Sequence, residues 1–187
     1  IAPRYGDLIP QLLTFRIYDT MEVAGHIALT IQTRGGAAII DVDGIGNGVF
    51  FRLRELDLPV YAYHGGLVGE FFDVSGTIRY ANLRSAAHWK LREILDPASG
   101  RYPALPPDEM LYGDLTAPRW KPTSGGRIKI EEKELIRARL GRSPDRGDAV
   151  VEAFWMDPDD EPQVAPKREG LFDEWKNRWP ERQLMGA

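Results

Sequence analysis

The sequence contains no cysteine, which excludes disulfide staples, thiol nucleophiles and thiolate-held zinc. Histidine is scarce, and His26, His64 and His88 lie too far apart to give the close spacing of a histidine metal centre. Any metal would have to be held by carboxylates. No apolar run approaches the roughly 18–20 residues that a membrane-spanning helix needs, and no basic start followed by an apolar stretch suggests a signal peptide. A soluble, intracellular-type chain without a membrane partner is therefore expected. The chain opens on Ile1 rather than Met, as a piece of a longer polypeptide would. What is present in quantity is apolar material: 43% hydrophobic and 10% aromatic over 187 residues is enough to build the core of one generous domain.

The net charge of −4 argues weakly against a nucleic-acid binder, but it averages over a local reversal. Between Thr116 and Arg142 stand Arg119, Lys121, Arg127, Lys129, Lys133, Arg137, Arg139 and Arg142 against Glu131, Glu132 and Glu134, a net of +5. Such a stripe either tracks phosphates or is a solvated helix face plus hairpin.

Periodicity predicts the order of elements. "IAPRYG" and "LIPQLLTFRIY" read as two extended segments around a Gly6-Asp7 turn. A helix follows, capped by Asp19 and striped by Met21, Ala24, Ile27, Ala28 and Ile31 until Gly35-Gly36 stops it. "AAIIDVD" is a strand with Ala37, Ile39, Asp41 and Asp43 on one face and Ala38, Ile40 and Val42 on the other. After "GIGNG" come a helix through Val49, Leu53 and Leu56, then the strand "PVYAYHGG". The Gly-rich stretch 66–81 reads as loop. "NLRSAAHWKLREILDP" is a helix with Ala87, Leu91, Ile94 and Leu95 on one side, and "PPDEMLYGDL" a short helix or turn. "RWKPTSGGRIKIE" is a hairpin around Ser124-Gly125-Gly126. Two helices close the fold: "EKELIRARLG", and a last one capped by Ser143 with Pro144 at its first position, running to about Met156. The acid- and proline-rich residues 157–187 read as a flexible tail.

The acids carry the chemistry. Asp41 ends an otherwise apolar strand, beside the usual ligand crevice of an α/β sheet. The last helix places Asp145, Asp148 and Glu152 on one face, where like charges destabilise unless a cation relieves them. Mg²⁺ or Mn²⁺ would do so, because hard cations prefer carboxylate oxygens, and paired ions about 3.5–4 Å apart clamp the attacking and leaving oxygens of a phosphodiester. Blander readings stand beside this one: helix-start charge for Asp145, a turn residue before Gly44 for Asp43, a solvated helix position for Glu152, and a turn for Asp7. "DVDGIGNG" is also a poor dinucleotide fingerprint, since its glycines are spaced G-x-G-x-G.

The stretches "DTMEVAGHIALTI", "DVDGIGNGVFFRLREL", "YANLRSAAHWKLREIL" and "DLTAPRWKPTSGGRIKIEEKELIRARLGRSPDRGDAVVEAF" together resemble the carboxyl-terminal nuclease domain of tailed-phage terminase large subunits. The resemblance covers residues 1–156. It implies an α/β, RNase H-like mixed sheet flanked by helices, with a β-hairpin inserted before the last two helices. It also implies a Mg²⁺- or Mn²⁺-dependent endonuclease that cuts concatemeric double-stranded DNA in the host cytoplasm. On the matching positions Asp41 and Asp148 are catalytic metal ligands, with Asp145 a helper; Asp43, from its own place at the end of the strand before Gly44, is a candidate metal ligand as well as a turn residue. Arg119, Lys121, Arg127 and Lys129 of the hairpin are expected to hold DNA beside the acidic cleft. Implied partners are the ATPase domain of the same polypeptide, the portal protein and the small terminase subunit, with Trp175–Trp179 as a docking stretch. The family's first carboxylate lies on a strand upstream of a segment like "IAPRYG", so that strand is missing from residues 1–156. Alternatives are a non-catalytic DNA-guiding or docking module and another RNase H-like enzyme such as a resolvase or transposase core.

Overall fold

The structure, a computed structural model, describes residues 1–17 and 19–156. The tail 157–187, with Trp175–Trp179, lies outside the described residues. The first residues make the expected turn, in which Tyr5 and Leu8 exchange backbone hydrogen bonds of 2.8 and 3.0 Å across Gly6 and Asp7. Among the described residues the two extended segments expected there do not pair as a ladder: isolated bridges join Tyr5 to Leu8 and Leu8 to Ala104. Pro10 removes a ladder donor, and Ile9 is instead fully buried in the core.

Helix α1 spans Thr20–Arg34 and is capped by Asp19, whose carboxylate accepts from the Met21 N–H at 2.8 Å. Strand β1 (Ala38–Asp41) leads through a glycine turn into α2 (Gly46–Glu55), which returns as β2 (Val60–Tyr63). β1 and β2 are parallel, with Asp41 opposite Tyr63. This crossover buries the alternate face predicted from the sequence: Ile40 and Val42 pack with Ala24, Ile27, Ala28 and Ile31 of α1 and with Val49 and Leu53 of α2. Ile39, on the other face, packs against the second core.

The segment 66–81, read as loop, carries a short hairpin instead, β3 (Phe71–Phe72) with β4 (Arg79–Tyr80). Asp73 closes it by accepting from the N–H groups of Ser75 and Ile78, local bonds that glycine-rich composition hides. Helix α3 (Leu83–Leu95) is capped by Asn82, and α4 spans Glu109–Thr116. On α3 Ala87, Leu91 and Ile94 are buried as expected, whereas Leu95 is 39% exposed. The expected second hairpin forms from β5 (Trp120–Pro122) and β6 (Ile128–Ile130), giving a four-stranded sheet in the order β3-β4-β6-β5.

The chain ends, within the described residues, on α5 (Lys133–Leu140) and α6 (Asp145–Ala153). Helix α6 buries Val150 and Val151, and Phe154 follows it into the core with Leu91, Ile94 and Leu111. Each such side chain contributes about 1.5–3 kcal/mol by leaving water. That apolar face fixes which way the acids of α6 point.

Candidate active site at the carboxyl end of β1

The glycine turn after β1 fixes the Asp41 end of the strand. Gly44 has φ 135°, open to few other residues, and a Cβ at Gly46 would overlap the Asp41 carbonyl oxygen. Asp41 also accepts from the N–H of Asp43 at 3.0 Å, so its carboxylate folds back over the turn. Burial, and then the nearby charges of Asp43 and Asp148, raise its pKa above the ordinary value; the Asp43 N–H and Lys133 pull the other way. Asp41 and Asp148 thus lie in one electrostatic neighbourhood.

Lys133, the first residue of α5, meets Asp148 and lies within the field of Asp41. Its ammonium lies 2.6 Å from Asp148 Oδ2 and 3.7 Å from Asp145 Oδ1. Burial works against its charge, but the hydrogen bond to Asp148 and the fields of Asp148, Asp145 and Asp41 outweigh it and raise the pKa. Asp148 is 17% exposed and Asp145 76% exposed, and Asp145 also accepts from the Ser143 hydroxyl at 2.5 Å. Asp145 therefore stands at the rim. Glu152, read as a solvated helix position, turns inward: burial and then Asp41 and Asp148 push its carboxyl up to about 8. The Tyr63 hydroxyl sits in the same field, its pKa raised by burial and by Glu152, Asp148 and Asp41.

Asp43 faces elsewhere. Its Oδ1 lies 3.2 Å from His64 Nδ1 and its Oδ2 accepts from the Gly66 N–H at 3.1 Å, so it ties the end of β1 to the loop after β2. Asp7 is also apart from the cluster, paired with Arg101. Among the described residues no three histidine or acidic side chains form a group that could hold a metal ion.

The hairpin cations are distributed unevenly. Lys121 and Lys129 are cross-strand partners. Lys129 pairs with Glu132 at 2.6 Å, while Arg127 is tied to Glu70 at 2.7 Å and to the Gly69 carbonyl at 3.4 Å. Arg119 is exposed, and its backbone N–H donates to Glu131. Glu132 feels Lys129, Arg84 and Lys121, and it immediately precedes Lys133, so the hairpin face runs up to the acidic cluster.

On the other side a cleft of about 720 Å³ opens between Ile1–Gly6, α1, β1 and α6, with Asp41 and Glu152 in its wall. Among the described residues β1 has one hydrogen-bonded neighbour, β2, and its opposite edge faces this cleft. Lys133 and Tyr63 are the neighbours of the acids that sequence reasoning missed, and Glu152, placed on the acidic face, was given the solvated position it does not occupy. The available signal was the clustering of acids on α6, which demands a cation nearby, but Lys133 was counted with the basic stripe.

No protein-family model matches the chain, nor does any curated protein by sequence. Solved structures do match in fold. The nuclease domain of the large terminase subunit gp2 of bacterial virus Sf6 is 17% identical, with a TM-score of 0.67 over 83% of this chain and 80% of that one. A mutant of the same domain with manganese and beta-thujaplicinol is 18% identical at TM-score 0.66, again over 83% of this chain and 80% of that one. Another mutant form, with calcium, is 18% identical at TM-score 0.67 over the same shares of the two chains. The chain therefore has the α/β, RNase H-like fold of these nuclease domains.

Proposed function

We propose that residues 1–156 are the nuclease domain of a phage DNA-packaging terminase large subunit, a divalent-metal-dependent endonuclease acting on double-stranded DNA. The observation that supports this reading is the Lys133–Asp148 ion pair at 2.6 Å, with Asp41 at the carboxyl end of β1 close enough to feel the charges of both. The candidate donors are carboxylate oxygens, and Lys133 is the cation that meets Asp148. Two carboxylates suit a Mg²⁺-like ion, which commonly takes one or two protein oxygens and completes its shell with water and substrate phosphate. Asp41 and Asp148 would hold it, Asp145 would assist from the rim, and Asp43 would position the turn rather than ligate. When bound, such an ion polarises the phosphoryl group and lowers the pKa of a bound water.

The protein's own residues do the rest. Asp41, in the wall of the cleft, and Asp148, which Lys133 holds, would be the residues that hold the ion. Lys133, which pairs with Asp148, would supply a positive charge beside a bound phosphate. Lys121 and Arg119, with Arg127 and Lys129 behind them, neutralise backbone phosphates on the approach and read no sequence. The upstream carboxylate strand implied by the family resemblance would add to the open edge of β1. The ATPase domain, portal protein and small terminase subunit are the partners of this reading, and the host cytoplasm its setting. Among the described residues no helix is long and apolar enough to cross a membrane.

The test is cleavage of duplex DNA with Mg²⁺ or Mn²⁺ by the full polypeptide. Asp41→Ala and Asp148→Ala should each abolish cutting while the fold, followed by circular dichroism, is retained; cutting that survives either change refutes the assignment. The Lys133 lock on Asp148 also favours a second reading, a module that guides DNA without cutting it, which would show no metal-dependent rise in melting temperature.

A further inference from the structure

Helix α6 lacks the amino-terminal cap that its sequence predicts. Pro144 occupies the cap position without a side-chain bond, and the Ser143 hydroxyl goes to Asp145. The cap comes instead from α4. Asp114 Oδ2 accepts from the N–H groups of Arg146 and Gly147, both at 3.1 Å, and the residue is 1% exposed. Its Oδ1 lies 2.5 Å from Arg142 Nη1, an ion contact rather than a well-directed hydrogen bond. Arg142 in turn donates to the Ser143 carbonyl at 3.1 Å and to the Met110 carbonyl of α4 at 2.9 Å. A Cβ at Gly147 would stand 2.7 Å from the Asp114 Cβ, so only glycine lets the two helices approach this closely.

We propose that Asp114, locked by Arg142, is the positioning residue that sets the height and rotation of α6 and so aims Asp148 at Asp41. The proposal rests on the reading above that Asp41 and Asp148 share a divalent ion. Three features argue for more than ordinary capping. A serine or threonine at position 144 would cap at little cost, whereas a buried carboxylate costs far more unless it is paired. The contact falls on Gly147, one residue before Asp148, so no flexible link separates the clamp from the carboxylate it aims. The other end of α6 is also held, by Arg4, which donates to the Ala153 and Met156 carbonyls at 2.9 and 2.7 Å. With both ends fixed, α6 cannot slide or rotate without breaking a buried charge contact.

The experiment compares Asp114→Asn, the double variant Asp114→Asn with Arg142→Gln, and Asp19→Ala, all in the full chain. Asn keeps the size and one acceptor oxygen but turns an amide toward Arg142; the double variant restores a neutral hydrogen-bonded pair. Asp19→Ala removes a cap on distant α1 and serves as a comparison of similar destabilisation. Mn²⁺ affinity is read from free Mn²⁺ by electron paramagnetic resonance at a temperature where every variant is folded. Removing a group that orients a metal ligand weakens affinity about 10–100-fold. That loss is expected for Asp114→Asn, with recovery to within about threefold in the double variant and no change in Asp19→Ala. An unchanged affinity in Asp114→Asn despite a lower melting temperature would reduce Asp114 to a plain cap and overturn the proposal, as would an equal loss in Asp19→Ala. If the wild-type chain takes up no Mn²⁺, the metal reading fails, and the proposal is decided by the Lys133–Asp148 coupling in a double-mutant cycle of stability. That coupling should collapse in the Asp114→Asn background; its persistence would overturn the proposal.

Discussion

Glu152 should make the stability of the metal-free protein fall as pH rises. It is held one helical turn beyond Asp148, and burial, then the charges of Asp41 and Asp148, push its carboxyl up to about 8 from an ordinary value of 4.5; Lys133 and the Ile1 ammonium offset this in part. Because the folded value is raised, the folded state holds a proton that the unfolded chain has already released. Stability is therefore unaffected below about pH 4.5 and is lost progressively as pH rises through 8. At about 1.4 kcal/mol per pH unit the raised value sets an upper bound of about 5 kcal/mol. Water entry and side-chain relaxation reduce this, and about 2–4 kcal/mol is expected at pH 8.5. Glu152→Gln removes the ionisation and keeps the shape. It should match the wild type at pH 4.5 and exceed it at pH 8.5 by about 5–15 °C in melting temperature. The assay is urea and thermal unfolding in EDTA at pH 4.5, 6.5 and 8.5. A difference between the two proteins that does not change with pH would refute the argument, because a carboxyl whose pKa is raised on folding must make stability depend on pH between the two values. Added Mn²⁺ should shrink the advantage of Gln, since a cation at Asp41 and Asp148 makes the Glu152 charge favourable.

Lys133→Met leaves Asp148 without its cation and should cost about 1–2 kcal/mol in EDTA, yet strengthen Mn²⁺ binding by removing the competitor; weaker Mn²⁺ binding would show that Lys133 assists rather than blocks the ion. Lys121→Ala with Lys129→Ala should lower the slope of log affinity against log salt for duplex DNA by about 2 and weaken binding uniformly across sequences. A change confined to particular sequences would place the hairpin on bases rather than phosphates. Gly46→Ala forces a Cβ onto the Asp41 carbonyl oxygen and should cost about 3 kcal/mol or more; an unperturbed melting curve would mean that the turn after β1 relaxes freely.

What the sequence made legible depended on the range of the interactions. Helices α1 and α3, with their Asp19 and Asn82 caps, the faces of β1 and the Ser124-Gly125-Gly126 hairpin are set by neighbours within a few residues, so periodicity and turn chemistry reach them. Asp41 and Asp148 stood out as candidates for the same reason, because a carboxylate ending an apolar strand and a run of acids on one helix face are local anomalies. The failures were non-local or finely local. Ile9 sits in the core on a hydrogen bond to Ala104, which no pattern within residues 1–17 announces. The β3–β4 hairpin is closed by side-chain bonds of Asp73 that a glycine-rich composition masks.

The site itself shows the same division more sharply. Each acid on α6 was visible as a residue type, but its role is set by what packs against it. Asp145 is left at the rim, Asp148 is met by Lys133 from α5, Glu152 is turned toward β1, and the helix start is completed by Asp114, 32 residues before Arg146. Sequence spacing puts the three acids on one face, and a helix alone cannot distinguish them. Burial does: Val150, Val151 and Phe154 anchor the opposite side of α6 in the core, so its rotation is fixed and the acids become inequivalent. Removing that anchoring, as by Val151→Ala, should therefore loosen the Lys133–Asp148 pair as well as lower stability by about 1–3 kcal/mol, a link between core and site that a cap or a charge substitution alone would not reveal.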